Sequence, residues 1–306
     1  MRMRDFGSTG LKVSEIIYGG IVATMDRYNG YTYQDDGQAA SDRDVAYALD
    51  AGINYFDVAP KYGNAQEMLG NSLRGVRERI ILACKTEMRD YDSAARAAER
   101  SLKLLHTDHF DIYQIHALCN EGDVRRIFES DGAMKLVEEL RRSGTARHVG
   151  FTTHSEGAAL TAMDLYDFES VMLPANWHMN MAIGYGDRML KKAKEKGMAV
   201  IGMKSMVERG FRPGPEDDVF RRKWPKCWCK LFDEETQADL LLAALRFAVA
   251  QGIDTLVPAG DVEHFRFAVE HADEIWATPL SEADMALLRA HLPSVEDALF
   301  MPEYDR

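Results

Sequence analysis

The chain has 306 residues, 46% hydrophobic and 28% charged, and its 37 Lys+Arg against 49 Asp+Glu leave a formal charge of −12. That length is long for one ordinary domain but within the range of a single α/β barrel, and the composition is that of a globular protein with ample core material. The acidic balance argues against nucleic acid or an anionic membrane as the main partner, and no stretch approaches the ~20 apolar residues of a membrane span.

The N-terminal MRMRDFGSTG has no apolar run after its arginines, so it does not read as a secretory signal. A short apolar strand is expected at 16–19. The long segment 22–40 follows, with Tyr28, Tyr31 and Tyr33, which line a substrate mouth or stabilise the loop. A helix is expected at 41–51; its stretch DRDVAYALDAG, 42–52, ends at glycine and feeds the strand at 54–57, NYFD. The same grammar recurs along the chain. Helices are expected at 65–74, 92–105, 133–143, 155–164, 186–196, 236–251 and 261–272. Strands are expected at 80–85, 111–116, 148–152, 170–174, 200–204 and 255–258. Several of the helices close on a glycine, which supplies the left-handed residue that ends a helix. The strands are short and rich in Ile and Val, as in a parallel sheet covered on both faces.

This alternation predicts a closed (β/α)8 TIM barrel occupying 1–306 as a single domain. An open doubly wound sheet uses the same alternation, but no G-x-G-x-x-G follows the first strand. The segments 22–40, 117–132 and 205–235 are longer than connections need to be, and each follows a strand's C-terminal end, where barrel enzymes build their sites. The last holds Trp224 and Trp228, expected to pack a flap, with Cys227 and Cys229. A lone C-x-C rarely makes a metal site, so no metal is expected. Of the four cysteines, Cys84, Cys119, Cys227 and Cys229, two lie in or beside apparent barrel elements and read as reduced, buried thiols, so a cytoplasmic location is expected. After 279, SEADMALLRAHL has an amphipathic pattern suited to packing on the barrel or closing its rim.

Three consecutive strands end on an ionisable residue. Asp57 ends the second, Lys85 the third and His116 the fourth, and Tyr62 stands in the loop after the second. Taken singly, each has an ordinary structural role, such as a helix cap, a solvated lysine or a hydrogen-bonded rim histidine. Together on neighbouring strand ends they describe a site. A phenol has an unperturbed pKa of about 10, and a nearby ammonium favours its ionised form. An aspartate fixes that ammonium, and a histidine orients a carbonyl oxygen. Such a group protonates an oxygen while hydride reaches the carbon.

These residues carry a resemblance to the aldo-keto reductase family. FGSTGLKVSEIIYGG resembles its N-terminal hairpin and first strand. AGINYFDVAPKYGNAQEMLG resembles the segment with its aspartate and tyrosine, ILACKTE its lysine strand, and HFDIYQIHAL its histidine strand. The resemblance implies an NAD(P)H-dependent carbonyl reductase or alcohol dehydrogenase acting on a small molecule. Tyr62 would be the general acid/base, tuned by Lys85 and Asp57, with His116 positioning the carbonyl. It also implies a cofactor set: Gly20, Ile21, Asp57, Thr152, Thr153, Asn176, Met203, Lys204, Ser205, Met206, Gly210, Ala259, Gly260, Asp261 and Arg266. Met203-Lys204 stands where the family often has a nicotinamide-stacking tyrosine, which marks a divergent branch. NADP(H) is expected from the family's preference and Arg266, with NAD(H) as the alternative because Asp261 would repel a 2′-phosphate. His154 and His178 follow strands five and six, and His178 is taken as the better candidate to enter the pocket. Lys61 is expected to point to solvent. A Schiff-base lyase using Lys85 and Lys204 and a non-catalytic nucleotide sensor are the other readings. Oligomeric state and substrate identity are not legible.

Overall fold

The computed structural model describes residues 1–24, 37–297 and 299. Tyr28, Tyr31 and Tyr33 lie outside them. Eight parallel strands form one sheet in chain order: β1 (Tyr18–Gly19), β2 (Tyr55–Asp57), β3 (Ile81–Thr86), β4 (Phe110–Leu118), β5 (Ala146–Thr153), β6 (Ser170–Pro174), β7 (Ala199–Met203) and β8 (Thr255–Leu256). The sheet closes through a parallel bridge between Ile16 and Leu256. Ile17 N donates to Leu256 O at 2.9 Å, and Leu256 N donates to Glu15 O at 3.0 Å. The expected (β/α)8 barrel is therefore the observed fold.

Each strand leads into helix, and the expected helices are all present within a few residues. Their ends follow local chemistry. Asp90 caps Tyr91–Leu104 through Ser93 N (2.9 Å), and Ser155 caps Glu156–Leu165 through Ala158 N (3.1 Å). Gly144 ends Ala133–Ser143 in the left-handed region at φ 78°. An antiparallel hairpin, Met3–Asp5 with Lys12–Ser14, plugs the N-terminal mouth of the barrel. Just past its first strand, Phe6 is fully buried and meets the Tyr55 ring edge-on at 5.7 Å.

Side chains alternate across each strand, and this alternation builds two layers. Tyr55, Ile81, Ala83, Ile112, Met172, Ala199 and Ile201 fill the barrel interior with Phe6 and Val13. Phe56, Leu82, Cys84, Tyr113, Val149, Phe151, Val171 and Val200 face the surrounding helices in the larger core. The inward track therefore carries whatever follows it to the C-terminal mouth, and that is where the functional side chains are found.

Two of the three long segments carry secondary structure of their own. The one after β4 contains the helix Glu121–Ile127. The one after β7 contains the strands Val207–Gly210 and Cys229–Leu231, paired antiparallel, and the helix Pro215–Lys223 between them. A further short helix, Trp177–Ile183, follows β6. Among the described residues no helix is long and apolar enough to cross a membrane.

Candidate active site

In β2 and β3 the inward track runs through Tyr55 to Asp57 and through Ile81 and Ala83 to Lys85. Lys85 is 0% exposed and Asp57 2%. The Lys85 ammonium donates directly to Asp57 Oδ1. Burial pushes the Asp57 carboxyl up, and the Lys85 ammonium pulls it back. A buried ion of either sign costs several kcal/mol without its partner, so each residue makes the other's burial tolerable.

His116 sits at a distortion that alternation alone would not give. Ile115 pairs with Phe151 but Leu118 pairs with Thr153, so β4 carries one extra residue against β5. Ala117 absorbs it at φ 53°. This backbone is held on both sides: Ala117 N donates to Thr152 Oγ1 at 2.8 Å, and Arg89 Nη2 donates to Ala117 O at 2.8 Å. A non-glycine residue in that region costs of order 1–3 kcal/mol, and surrounding contacts must hold it there. The bulge aims the half-buried His116 into the mouth. Its ring meets that of Tyr62 edge-on, with centroids 5.8 Å apart and planes at 88°. Tyr62 is placed by a tight turn in which its N–H donates to Ala59 O at 3.1 Å and its own carbonyl accepts from Thr24 Oγ1 at 3.0 Å.

Burial, and then the positive charges of Lys85, Lys61 and Arg89, push the His116 imidazolium pKa down to about 3. The ring is neutral at physiological pH, and its buried Nδ1 has no hydrogen-bond partner among the described residues. The unfolded chain then binds a proton below about pH 6.5 that the native state refuses. Stability should therefore fall as pH drops from about 6.5 towards 3, and rise with pH across that window. Allowing for the ring's partial exposure, the loss is on the order of 2 kcal/mol. Urea unfolding of the protein and of His116→Gln between pH 4 and pH 7 reads it as a shallower pH slope in the variant.

Asp57, Tyr62 and His116 line one end of a cleft of about 720 Å3 at the C-terminal mouth, and Lys85 lies behind its wall. Gly20, Ile21, Thr152, Met203, Lys204, Met206, Ala259 and Gly260 continue that wall, as their place in the expected set requires. Two glycines make room. A Cβ on Gly20 would meet Asp57 O at 2.7 Å, and one on Gly260 would meet Ile21 Cγ2 at 2.3 Å. The segment after β7 crosses the mouth as a strap, tied to the β1 loop by Lys226 Nζ donating to Val22 O at 2.7 Å.

The other expected cofactor residues are elsewhere. Thr153 follows Phe151 onto the outward track, where its hydroxyl bonds Leu118 O and Ser155 O at 2.7 and 2.8 Å. Asn176 is spent on structure: Oδ1 caps Trp177–Ile183, and Nδ2 donates to Lys204 O and Val207 O at 3.0 and 2.9 Å. Ser205 is buried off the wall, its Oγ without a hydrogen-bond partner among the described residues, and Gly210 belongs to the strap's hairpin. Asp261 caps Val262–Glu270. Arg266 pairs with Glu263 and Asp44 at 3.4 and 3.5 Å, off the cleft wall.

The histidine expectation reverses. His178 is fully buried away from the cleft, facing Ser294 O at 3.1 Å, whereas His154 lines the cleft from the inward track of β5. The two tryptophans also part. Trp224 is buried in a small core with Val207, Cys227, Cys229 and Leu231, while Trp228 lines the cleft and is half exposed. Lys61 is largely exposed but pairs with Glu87 at 3.0 Å on the cleft's edge. Lys226 and Glu87 are cleft residues that sequence reasoning missed. Lys226 had a visible signal, a cation beside Cys227 and Trp228 in an overlong segment.

The residues present fit a nicotinamide dinucleotide. The cleft has the volume of a small-molecule site, roughly 300–1,000 Å3. Met203 and Ile21 offer apolar walls for a ring. Gly260 leaves backbone accessible just ahead of the helix Val262–Glu270, and Lys226 adds a cation on the wall for a pyrophosphate.

The profile of the Aldo/keto reductase family matches residues 15–293. An uncharacterized oxidoreductase of Bacillus subtilis is 28% identical over 167 residues, 50% of this chain and 49% of that protein. L-galactose dehydrogenase of Arabidopsis thaliana is 29% identical over 163 residues, 50% and 48% of the two chains. A 6-dehydroglucose reductase of Novosphingobium aromaticivorans is 33% identical over 160 residues, 45% and 49%. In these matches the chain spans about half the length of its curated relatives. Among solved structures, the holo form of an aldo-keto reductase from Bacillus halodurans superposes with a TM-score of 0.70 at 19% identity, covering 100% of both chains. One from Pseudomonas aeruginosa gives 0.66 at 22% identity, covering 89% of this chain and 95% of that one.

Proposed function

The chain belongs to the aldo/keto reductase family, and from that premise we propose that it interconverts a carbonyl and an alcohol with a nicotinamide cofactor, using Tyr62 as the general acid/base. One observation carries the reading: Tyr62 and a neutral His116 meet edge-on at the cleft end whose wall includes Asp57, paired to the buried Lys85. When bound, the reduced cofactor supplies hydride. The protein's part is to place the carbonyl and supply the proton. The neutral His116 ring donates an N–H to the carbonyl oxygen and adds no charge. Tyr62 gives its phenolic proton to that oxygen as negative charge develops there. Lys85, fixed by Asp57, favours the phenolate left behind. Thr152 holds the β4 bulge and with it the His116 ring. In the oxidative direction the same phenolate takes the proton back.

The residues holding the cofactor are, on this reading, Ile21 and Met203 along the ring, Thr152 at its amide, and Ala259, Gly260 and Lys226 along the phosphates. The 2′ end favours NAD(H) over the NADP(H) expected from sequence. Arg266 is committed to two carboxylates, and Asp261 already fills the helix N-terminus with negative charge. The four cysteines are free thiols, which suits the cytoplasmic setting we propose.

Fluorescence titration with NADH and NADPH should give a Kd at least tenfold lower for NADH. A panel of aldehydes and ketones should then consume the reduced cofactor, followed by its absorbance. Tighter binding of NADPH overturns the cofactor choice alone. Binding of neither dinucleotide overturns the function.

A further inference from the structure

Lys204 lines the cleft but has no part in the reaction proposed above. It follows Met203, the last inward residue of β7, and its backbone is at φ 61°, one of three non-glycine residues with positive φ among those described. That turn breaks the strand's alternation and sends the side chain across the mouth. Its Nζ lies 3.6 Å from the centre of the Trp228 ring, on the strap. Trp228 in turn meets the His154 ring at 6.3 Å, and His154 Nδ1 is 3.9 Å from Cys119 Sγ. His154 and Cys119 belong to the ends of β5 and β4, next to His116. His154 is within electrostatic range of both Lys204 and His116, so the ammonium borders the carbonyl end of the cleft. An indole face holds a cation in place without cancelling its charge. Burial lowers the pKa of Lys204, and the thiols of Cys229, Cys227 and Cys119 act in the opposite direction.

We propose that Lys204, steadied by Trp228 and flanked by His154, is the specificity-determining group for an oxyanion carried by the substrate, so that the preferred substrates are oxo acids. The inference rests on the carbonyl-reductase reading, which places the reacting carbonyl at His116 and Tyr62. A carboxylate a few bonds from that carbonyl reaches Lys204 while its oxygen stays against His116. A desolvated ammonium rewards a carboxylate by a charge-assisted hydrogen bond and gives an uncharged chain nothing comparable. Lys204 thereby positions substrate and takes no part in proton transfer.

The test compares 4-oxobutanoate with butanal, two four-carbon aldehydes that differ at the far end by a carboxylate. The wild type should favour the oxo acid at least tenfold in kcat/KM. Lys204→Met should cut that preference at least tenfold, chiefly through the KM of the oxo acid. Lys204→Arg, which keeps the charge, should retain most of it, whereas a merely structural lysine would leave the preference unchanged in both variants. Butanoate binding to the protein loaded with oxidised cofactor, read from tryptophan fluorescence, supplies a readout that needs no turnover. Its Kd should rise at least tenfold in Lys204→Met, while the Kd of the cofactor alone stays within threefold. An equal loss of cofactor affinity would assign Lys204 to the dinucleotide phosphates and overturn the proposal. An unchanged preference and unchanged butanoate binding would also overturn it. Lys204-dependent butanoate binding with no turnover of either aldehyde would sustain the oxyanion site and sink the reductase reading.

Discussion

Tyr62→Phe should lower kcat by roughly two to four orders of magnitude, the range that a positioned general acid contributes. The substitution removes one oxygen from a half-buried ring whose edge-on packing against His116 does not depend on the hydroxyl. The cofactor Kd should stay within about threefold and the urea midpoint should hardly move, because a lost partly exposed hydroxyl is worth about 1 kcal/mol or less. The loss should therefore sit in kcat and kcat/KM together, as for an interaction made only in the transition state. Near-wild-type turnover in this variant would remove Tyr62 from the mechanism. His116 would then be the nearest group able to move a proton, but its strongly lowered pKa leaves it without the extra proton to give near neutral pH.

Lys85→Met should cost about 3–5 kcal/mol of stability as well as turnover. Lys85 is completely buried, and its ammonium is the direct partner of Asp57, itself 2% exposed. Methionine fills much of the same volume but leaves the nearly buried carboxylate without its cation. Asp57 must then take up a proton, so the deficit should shrink below the pH at which the stranded carboxyl protonates. Removing both charges, as in Lys85→Met with Asp57→Leu, should restore a large part of the stability while leaving the enzyme inactive. Urea midpoints of the two single variants and the double variant give the coupling directly. If the double variant is as unstable as the sum of the singles, the pair does not act as a unit and the tuning role of Lys85 loses its basis.

How much of this was legible before the structure depended on the kind of residue. Glycine-terminated helices and short Ile- and Val-rich strands gave the barrel, with strand limits accurate to a few residues. The alternation of each strand can be counted, and it carries Asp57, Lys85 and Met203 towards the mouth. The same count separates Thr152 from Thr153, since neighbours on a strand face opposite sides. His116 was found for a weaker reason. It is the last polar residue of an apolar run, and the bulge that aims it rests on Arg89 and on Thr152 of the next strand.

Residues beyond strand ends were harder. Asn176 and Asp261 belong to a residue type that serves equally as ligand and as helix cap. The choice is made by whether a helix starts at the next residue. His178 and His154 follow their strands at similar distances, yet the helix Trp177–Ile183 carries one into the wall and the β5 track carries the other into the cleft. Arg266 has the charge a 2′-phosphate would need, but Asp44 and Glu263, the first far away in sequence, claim it.

The sequence by itself determined the barrel, the chemical types at its mouth and the order in which they arrive. These are consequences of local periodicity, because a strand's alternation and a helix's end are decided within a few residues of chain. Only the tertiary structure decided that Lys226 straps the cleft, that Lys204 lies over Trp228, and that Asn176, Thr153 and Arg266 are spent elsewhere. Those outcomes depend on contacts between segments tens to hundreds of residues apart. A polar side chain takes the partner that folding brings nearest, and its own neighbours in sequence do not encode which partner that is.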